Sequence, residues 1–445
     1  MSLQITNEVT IIGSGISGTI LAALLQQANR TSISILSESK EGDGFENSDI
    51  QLYGRVYNIA VSYLHDVDGM VKYVLDKLQT QIDDLIKYFE VVEGVPVEAG
   101  KILYRNRSFP KFEAELKSLF LDESSKIDDF FRVCLGINEE SMKSLTNEKF
   151  GTKDIPLFLK YCRTTYKDFI RSYQFSSKLA NVFMSFAPWE DISLIAMSTY
   201  WQQISSIAIT KDGFKQIYSR LLTKFITQGG RYFGYIPIRN IKNNCDRYSI
   251  ELEDGTLIQS KVLVFTKSRA ILNKYNLGVY ELHKPNTRYP SNIFFLKLND
   301  RLNFTQTPAY LRCRFLSGES YHRLNFSYLE NNIVKVEFLG ELPIDYNLLY
   351  RSIAKCLSDI GYEAGFEVVG IYSNHQVFAM TGIADGVLYC WAHSTEEIIK
   401  NPLGKLAVKS GIYCLGDWGT GYFYAGEIYA REINKFLKFN ERVKP

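Results

Sequence analysis

Near the N-terminus a short apolar run gives way to a helical period, and three glycines lie at the change. Residues 9–12 read Val-Thr-Ile-Ile, and residues 19–25 read Thr-Ile-Leu-Ala-Ala-Leu-Leu. Gly13, Gly15 and Gly18 lie between them at G-x-G-x-x-G spacing. A strand–turn–helix of this kind directs the unpaired N–H groups and the positive dipole end of the helix toward the turn. The pattern therefore predicts a site for the diphosphate of a dinucleotide.

The residues of this turn have separate predicted roles. Gly13 permits the tight turn, Gly15 lets the backbone approach a pyrophosphate closely, and Gly18 lets the helix pack on the strand. Ile16 and Ser17 lie in the first helical turn, whose backbone amides face the diphosphate. Glycines also serve ordinary βα turns, but the agreement of strand, helix and position favours the dinucleotide site.

The second strand is predicted over residues 31–36, where it completes a βαβ unit. A dinucleotide-binding unit places an acidic residue near the end of that strand, where it accepts hydrogen bonds from the adenosine ribose. Glu38 is the candidate, although it lies 25 residues after Gly13, slightly later than usual. A solvent-exposed glutamate is the alternative interpretation.

The rest of the chain alternates helical and strand periods. Helices are predicted over residues 66–88, in several pieces within 111–206, and over 216–228, 346–360 and 426–437. Strands are predicted as a pair within 89–104 and over 231–241, 248–252, 257–266, 293–298, 310–315, 333–339, 367–371 and 410–415. We expect the strands between 231 and 266 to extend the first sheet, and those between 288 and 380 to form a mixed second sheet.

The composition suits two or three globular domains, or one split α/β architecture. Of the 445 residues, 46% are hydrophobic and 22% are charged, and no apolar run approaches the roughly 20 residues that span a bilayer. The net charge of +2, without basic runs, argues against a nucleic-acid partner. The seven cysteines and five histidines are dispersed, which indicates reduced thiols and no metal site. We expect a cytoplasmic protein with no transmembrane segment.

Three glycine-containing signals follow one another along the chain: Gly13 to Gly18, Gly213 to Gly230, and Gly416 to Gly426. Together they resemble the flavin amine oxidase and phytoene desaturase superfamily. The resemblance implies an α/β fold with a Rossmann-like FAD-binding domain assembled from split segments, plus a mixed β-sheet and helical substrate domain. The implied FAD-binding domain takes residues 1–60, 208–285 and 400–445, and the substrate domain with its helical cap takes residues 61–207 and 286–399.

The resemblance also implies roles at the FAD. Gly416 and Asp417 would bind its ribityl and pyrophosphate part, and the backbone of Ile238 would meet the adenine. Gly426 would begin a helix whose N-terminus faces the pyrimidine end of the flavin. A helix N-terminus there stabilises the negative charge that a reduced flavin carries near N1. A plain turn at Asp417 and an ordinary core isoleucine at Ile238 are the alternative interpretations.

The activity implied by the resemblance is that of an FAD-dependent oxidoreductase, either an oxidase or a desaturase. A hydride would pass to flavin N5 from an apolar or aromatic small-molecule substrate, with amines among the candidates. Such chemistry requires few acid–base groups from the protein, so no catalytic residue is assigned. The candidates that face the flavin are aromatic residues, each of which also suits an ordinary core: Trp391, Trp418, Tyr422 and Tyr424.

The chain departs from the superfamily pattern at two places, and the second departure favours the desaturase branch. The family usually follows its ribose acid with Gly-Gly-Arg, whereas this chain reads Asp43-Gly44-Phe45, without the arginine. Amine oxidases often carry a lysine on a strand of the substrate domain; Phe294 aligns with it, and Lys297 has the opposite strand parity. No arginine stands out as a partner for a substrate carboxylate either, which favours an apolar or aromatic substrate.

A non-catalytic interpretation stays open beside the enzyme. The Rab GDP-dissociation inhibitors and escort proteins share this architecture, and they bind prenylated GTPases instead of oxidising a substrate. Residues 57–59, 89–94 and 100–104 resemble the corresponding region of those proteins. The longer form of the 213–230 helix and the Gly416-Asp417 motif favour the flavoenzyme. The sequence also leaves a homodimer open.

Overall fold

We describe a computed structural model of the chain. It describes residues 3–28, 32–37, 48–59, 63–98, 101–146, 152–187, 192–203, 205–244, 246–266, 271–278, 291–301, 308–317, 320–329, 332–339, 345–373, 407–409, 411–415 and 422–443. In the described residues, no helix is both long and apolar enough to span a membrane.

The described residues form a mixed α/β structure. In chain order the strands are β1 Gln4–Ile12, β2 Ile33–Ser37, β3 Asp49–Leu52, β4 Arg55–Asn58, β5 Leu64–His65, β6 Ile86–Tyr88, β7 Val91–Glu98, β8 Lys101–Asn106, β9 Ile207–Thr210, β10 Arg231–Tyr235, β11 Ile238–Asn244, β12 Arg247–Leu252, β13 Leu257–Phe265, β14 Ser291–Leu298, β15 Pro308–Ser317, β16 Ser320–Tyr328, β17 Ile333–Leu339, β18 Phe366–Tyr372, β19 Ala407–Lys409 and β20 Ile412–Cys414. The α-helices are α1 Ile16–Gln27, α2 Lys72–Lys77, α3 Phe109–Leu119, α4 Ser124–Thr146, α5 Pro156–Tyr161, α6 Tyr166–Ser172, α7 Ser177–Phe186, α8 Leu194–Gln203, α9 Lys215–Thr227, α10 Ile271–Lys274, α11 Tyr346–Asp359 and α12 Tyr422–Val443.

Three distant parts of the chain build one parallel sheet. Strands β10, β2, β1, β13 and β20 are neighbours in that order, and each pair is parallel. Alternate residues bury opposite faces, as expected when helices or another layer cover both. Val9 and Ile11 belong to the cluster that includes α1, α9 and α12, whereas Ile12 belongs to a cluster on the other face. The predicted fold class, with a Rossmann-like unit assembled from split segments, is confirmed.

An antiparallel meander covers the second face of this sheet. It consists of β11, β12 and the first half of β13. Strands β10 and β11 stand at opposite ends of the strand order, yet only two residues connect Tyr235 to Ile238. Neighbouring strands are about 4.8 Å apart, so two residues could not connect strands at the opposite ends of a flat sheet. The meander therefore folds back, and Ile250 packs in one cluster with Ile12 and Leu36.

The second large sheet has seven strands in the order β18-β14-β17-β16-β15-β7-β8. Helix α11 covers its outer face, where Ile353 and Leu357 pack against Leu324 and Phe326. Strand β16 was missing from the sequence prediction. Its apolar residues alternate with polar ones that are also buried, Arg323 among them. Because polar residues at alternate positions usually indicate a solvent-exposed face, the sequence pattern indicated a buried strand only weakly.

Helices α3 to α8 form the predicted helical segment, with a core of its own. Phe130 and Phe183 stack there with ring centroids 4.3 Å apart, and Trp201 is 1% exposed in the same cluster. Because Val95 and Leu103 of β7 and β8 belong to this cluster, the helices pack on the end of the seven-stranded sheet.

The predicted helix over residues 66–88 is wrong over most of its length. Residues Val67–Val71 form a π-helical turn, α2 ends at Lys77, and Ile86–Tyr88 is strand β6. Gln79 has a φ of 50°, a left-handed conformation that a helix interior does not contain. Apolar residues continue at helical spacing beyond the end of α2 because both the helix and the following strand contribute to the same hydrophobic cluster.

Candidate functional site

The glycine-rich turn lies where the parallel strands end. Ile12, Leu36 and Phe265 are register partners, so β1, β2 and β13 finish at one edge of the sheet. The Gly13 amide donates to the Leu36 carbonyl at 2.7 Å, and the Thr266 amide donates to the Ile12 carbonyl at 2.9 Å. The carboxyl edge of such a sheet is where doubly wound α/β proteins bind their ligands.

Two glycines of the turn are required by close packing against Thr266. Gly13 has a φ of +106°, and a Cβ added to it would lie 2.9 Å from the Thr266 Cβ and closer still to its hydroxyl oxygen. A Cβ on Gly18 would lie 2.7 Å from the Thr266 Cγ2 and 2.9 Å from the Gly13 carbonyl oxygen. Real Cβ contacts are longer than this, so the turn holds its shape only with glycine at both positions.

The first turn of α1 presents backbone donors at this edge. Gly15 is the N-cap, with φ −58° and ψ 166°, and its carbonyl accepts the first helical bond from Thr19 at 3.0 Å. The amides of Gly15, Ile16, Ser17 and Gly18 have no acceptor within the helix, as at any helix start. No carboxylate lies in the first turn to compete for them. These donors and the close-packed glycines fit the diphosphate of a dinucleotide.

Ile238 lies at the start of β11, where the meander leaves β10. It is half-buried, pairs with Leu252 and packs at the margin of the cluster between meander and parallel sheet. This position is close to the carboxyl end of β10, and β10 is the neighbour of β2. The arrangement places Ile238 on the side of the sheet where β2 ends, and its contact with adenine stays a prediction.

Several predicted site residues lie outside the described part of the chain. They are Glu38, Trp391, Gly416, Asp417 and Trp418. Tyr422 and Tyr424 belong to α12, but their side chains are likewise outside the description. The roles given to these residues remain predictions.

Gly426 has a different place from the one predicted. Helix α12 begins at Tyr422, four residues before it, so the expectation that Gly426 begins the helix is wrong. A Cβ on Gly426 would lie 2.5 Å from the Ile20 Cγ2 and 3.4 Å from the Leu21 amide nitrogen. The glycine therefore lets α12 cross close to α1, near the dinucleotide turn. A contact between Gly426 and a cofactor stays untested.

A buried ionic cluster lies across the seven-stranded sheet, on the face opposite α11. We use this name for six residues, all at most 6% exposed: Glu93, Arg105, Arg312, Arg323, Lys335 and Glu337. The cross-strand register places them on one face. Glu93 pairs with Arg105 of β8 and with Tyr310 of β15, two residues from Arg312. Buried charges require ionic and hydrogen-bonding partners.

Glu93 holds two guanidinium groups at the centre of the cluster. Arg105 Nη1 lies 3.1 Å from Glu93 Oε2, and Arg312 Nε donates to Glu93 Oε1. Arg105 also donates to the Trp201 carbonyl, and Arg312 Nη1 donates to Asn325 Oδ1 at 3.1 Å. Burial disfavours the charged form of both arginines and lowers the pKa of Arg105, but at Arg312 the attraction of Glu93 outweighs burial and the pKa is raised. Both arginines keep their charge at neutral pH.

The remaining members of the cluster lie on β16 and β17. Lys335 Nζ is 2.9 Å from Glu337 Oε1, and neither side chain is more than 4% exposed. Arg323 Nη2 donates to the Met184 carbonyl of α7 at 2.9 Å. The cluster therefore links strands of the large sheet to one another, and it also links the sheet to the helical segment that packs on it.

Aromatic hydroxyls and one histidine border the cluster. Arg312 donates to the Tyr200 hydroxyl of α8, and its guanidinium lies 4.9 Å from the Tyr310 ring centroid. The Tyr310 hydroxyl and His65 Nε2 are 2.8 Å apart. The Tyr63 hydroxyl oxygen lies 2.7 Å from the carbonyl oxygen of Ala309 and 2.8 Å from that of Tyr328, so its single proton is shared between them. These contacts place His65 and its neighbours at the junction of β5 with the large sheet.

The structure also fixes which side of β14 faces the dinucleotide unit. Phe294 packs in the cluster with α11, on the outer face. Phe295 belongs to the same cluster as β1 and α1, and Lys297 shares its strand parity. Phe294, which the resemblance aligned with the lysine of amine oxidases, therefore points away from the dinucleotide unit. Lys297 Nζ lies over the Tyr53 ring, 4.4 Å from its centroid.

His65 makes stability depend on pH. Burial, with the repulsion of Arg312, lowers the pKa of His65 to about 4 from an ordinary value of 6.5. The unfolded chain therefore binds the proton first, and stability falls as the pH drops from 6.5 toward 4. We expect a loss of about 2 kcal/mol at pH 4.5, because each unit below the ordinary pKa of 6.5 contributes about 1.4 kcal/mol and the half-buried position of His65 reduces the sum.

The measurement compares wild type with His65→Gln, which keeps a hydrogen-bonding group beside Tyr310. Urea unfolding at pH 7 and pH 4.5 gives both free energies, and the variant should lose less stability on acidification. An identical loss in the two proteins would contradict the lowered pKa of His65.

No sequence pattern predicted the ionic cluster. Glu93 and Arg312 are 219 residues apart, and no spacing rule joins them. The signal that was present is local: Arg323, Asn325 and Ser327 alternate with apolar residues, as do Arg312 and Arg314. Such alternation indicates a strand with one polar face, but it does not reveal that the polar face is buried.

No protein-family model matches the chain, and no curated protein matches its sequence. Solved structures do match. Putrescine oxidase bound to putrescine has a TM-score of 0.62 at 13% identity, over 98% of this chain and 100% of that one. An oxidoreductase from Methanosarcina mazei has a TM-score of 0.62 at 14% identity, over 96% and 100%. A Rab GDI from Plasmodium falciparum has a TM-score of 0.51 at 12% identity, over 83% and 89%.

These comparisons concern the fold. The chain has the architecture that amine oxidases and Rab GDI share, and the resemblance drawn from the sequence is confirmed at that level. The same fold therefore serves an oxidase and a GDI, so the function depends on the site and not on the fold.

Proposed function

We propose that the chain is an FAD-dependent oxidoreductase. The observation that carries the proposal is the turn from Gly13 to Gly18 at the carboxyl edge of the parallel sheet. Its glycines pack against Thr266 with no room for a Cβ, and the first amides of α1 point to where a diphosphate would lie. A row of amides that are unbonded within the helix suits the phosphates of a cofactor, which favours the flavoenzyme over a GDI-like binding protein.

The cofactor assignment rests on the same turn together with the fold. We assign the pyrophosphate to the backbone of residues 13–18, the ribose to Glu38 and the adenine to Ile238. Gly416 and Asp417 would take the ribityl part, and the start of α12, with Gly426 against α1, would lie beside it. The FAD-binding unit would comprise residues 1–60, 208–285 and 400–445, in keeping with the strands that build the parallel sheet.

Bound FAD supplies the hydride acceptor, flavin N5. The chain's own residues then have to orient a substrate C–H bond and exclude water. The face of the large sheet that bears Phe295 and Tyr310 shares a hydrophobic cluster with β1 and α1, so it lies on the side suited to this task. The reaction class is oxidation of a small molecule, either beside a heteroatom or between two carbons.

The test is an absorbance spectrum of the purified, desalted protein. We expect paired flavin bands near ~375 and ~450 nm, or their appearance after incubation with FAD and desalting. Denaturation should release FAD, identified by chromatography against FMN and NAD standards. A colourless protein that takes up no FAD would contradict the proposal. Pull-downs with prenylated GTPases would then test the GDI-like function.

A further inference from the structure

Two buried cysteines meet where helix α11 packs on the large sheet. Cys313 lies on β15 and Cys356 on α11, and each is 5% exposed. Both belong to the hydrophobic cluster between the helix and the outer face of the sheet. Both are free cysteines, and their thiols are hydrogen-bonded to one another. The pair therefore spans the contact between a helix and a strand that are far apart in the sequence.

The local structure explains why the two side chains point at each other. Cys356 shares the buried face of α11 with Ile353 and Leu357, its neighbours at helical spacing. Cys313 is the cross-strand partner of Leu324, which packs in the same cluster. Because both thiols point into one helix–sheet contact, they meet a geometric requirement of a disulfide, which is that the two side chains are directed at one another.

Two other described cysteines have partners of a different kind. Cys134 faces the Ser198 hydroxyl in the core of the helical segment, and the Cys162 thiol donates to the Leu159 carbonyl at 3.3 Å. Neither contact joins two sulfur atoms, so neither thiol is placed for an internal disulfide. Cys162 is also half-exposed, and a small oxidant reaches it more easily than the buried pair.

We infer that Cys313 and Cys356 form a reversible disulfide when the protein meets a small-molecule disulfide such as glutathione disulfide. The pair is thus a modification site that ties α11 covalently to β15. The inference goes beyond the proposed function and does not depend on it, because both thiols lie on the outer face of the large sheet, away from the dinucleotide turn.

The reaction takes two exchange steps. The Cys356 thiolate attacks one sulfur of glutathione disulfide, the S–S bond of that molecule breaks, and a mixed disulfide forms. The departing glutathione takes up the proton that Cys356 lost. Cys313 then gives up its own proton and attacks the Cys356 sulfur, which releases the second glutathione. Two thiols are oxidised, and one glutathione disulfide is reduced to two molecules of glutathione.

The surroundings of the pair make the first step slow and the second fast. The hydrogen bond with Cys356 and burial raise the pKa of Cys313 well above its ordinary value. Cys313 therefore keeps its proton at neutral pH, and the first attack is assigned to Cys356, since only a thiolate reacts. Once Cys356 is in the mixed disulfide, its thiol no longer raises the pKa of Cys313. The second step joins groups that are already in contact, which favours it over a bimolecular exchange.

Peptide mapping of the full wild-type chain tests the inference. The protein is incubated with an excess of glutathione disulfide at about pH 8, blocked with N-ethylmaleimide before unfolding, and digested. Mass spectrometry should find at least about half of the Cys313 peptide joined to the Cys356 peptide, and dithiothreitol should separate them. Glutathione on either residue without the cross-link, or two unmodified thiols, overturns the inference.

Single variants assign the cross-link to this pair. Cys313→Ser and Cys356→Ser each remove one of the two sulfurs, so each should abolish it. The control is Cys162→Ser, which removes a half-exposed thiol and should leave the yield of the cross-link at the wild-type level. If a serine variant of the pair does not fold, the wild-type peptide map decides alone.

The disulfide should also hold α11 on the sheet. It closes a loop over residues 314–355, which restricts the unfolded chain, so the thermal midpoint should rise by about 5 °C on oxidation and return with dithiothreitol. Cys162→Ser should show the same rise, and Cys356→Ser should show none. An oxidised protein that contains the disulfide but unfolds at or below the temperature of the reduced protein contradicts the role of the pair in tying α11 to β15.

Discussion

Gly13→Ala should abolish FAD retention. The residue has a φ of +106°, which an L-residue with a side chain adopts only with strain. Its new Cβ would also collide with the Thr266 hydroxyl and lie 2.9 Å from the Thr266 Cβ. The turn must shift to relieve both, and the amides of the first helical turn move with it. We expect less than about a tenth of the wild-type FAD content after desalting, because the displaced backbone amides no longer converge on the diphosphate.

The control is Gly234→Ala in β10. That position has nothing within 4 Å of an added Cβ and is exposed. It should retain normal FAD content and unfold at the wild-type temperature. Normal FAD content in Gly13→Ala would contradict the role of the turn.

A second pair of variants separates the collision from the strain. Thr266→Ala removes the hydroxyl and methyl group that crowd Gly13 and Gly18. If the collision dominates, Gly13→Ala with Thr266→Ala should recover part of the lost thermal stability relative to Gly13→Ala alone. If the backbone strain dominates, the two substitutions should simply add.

Local chemistry explains why this turn could be predicted. The three glycines, the β-branched run before them and the helix after them are contiguous in sequence, and each has one structural requirement. The parallel sheet could be predicted for the same reason. Residues 262–265 are continuously apolar, as is typical of a strand that is buried on both faces. Their pairing with β1 matched the expectation that this segment extends the first sheet.

Long-range burial explains what could not be predicted. Arg312, Arg323 and Lys335 look like solvent-exposed strand positions in sequence, because charged residues are rarely buried. Their burial depends on partners on other strands and on helices α7 and α8, which no local pattern identifies. The start of α12 could not be predicted for a related reason. The helix begins before Gly426 because its packing on α1, and not the glycine, determines its path.

Glu93→Gln should cause the largest loss of stability. The glutamine occupies nearly the same volume but leaves Arg105 and Arg312 buried with no carboxylate between them. Removing one partner of a buried ion pair costs about 3–5 kcal/mol, since an uncompensated charge stays in the interior. Guanidinium unfolding, followed by fluorescence and circular dichroism, should show a lower midpoint at pH 7.

The control for Glu93→Gln is Glu251→Gln on the meander. Glu251 faces Arg239 at 2.9 Å, but the two side chains are 38% and 56% exposed. Exposed pairs contribute about 0–1 kcal/mol, so this midpoint should barely move. Replacing Glu93, Arg105 and Arg312 together by leucine should recover much of the stability that Glu93→Gln loses, because no buried charge is then left without its partner. If Glu93→Gln is as stable as Glu251→Gln, the ionic cluster does not hold the sheet to the helical segment.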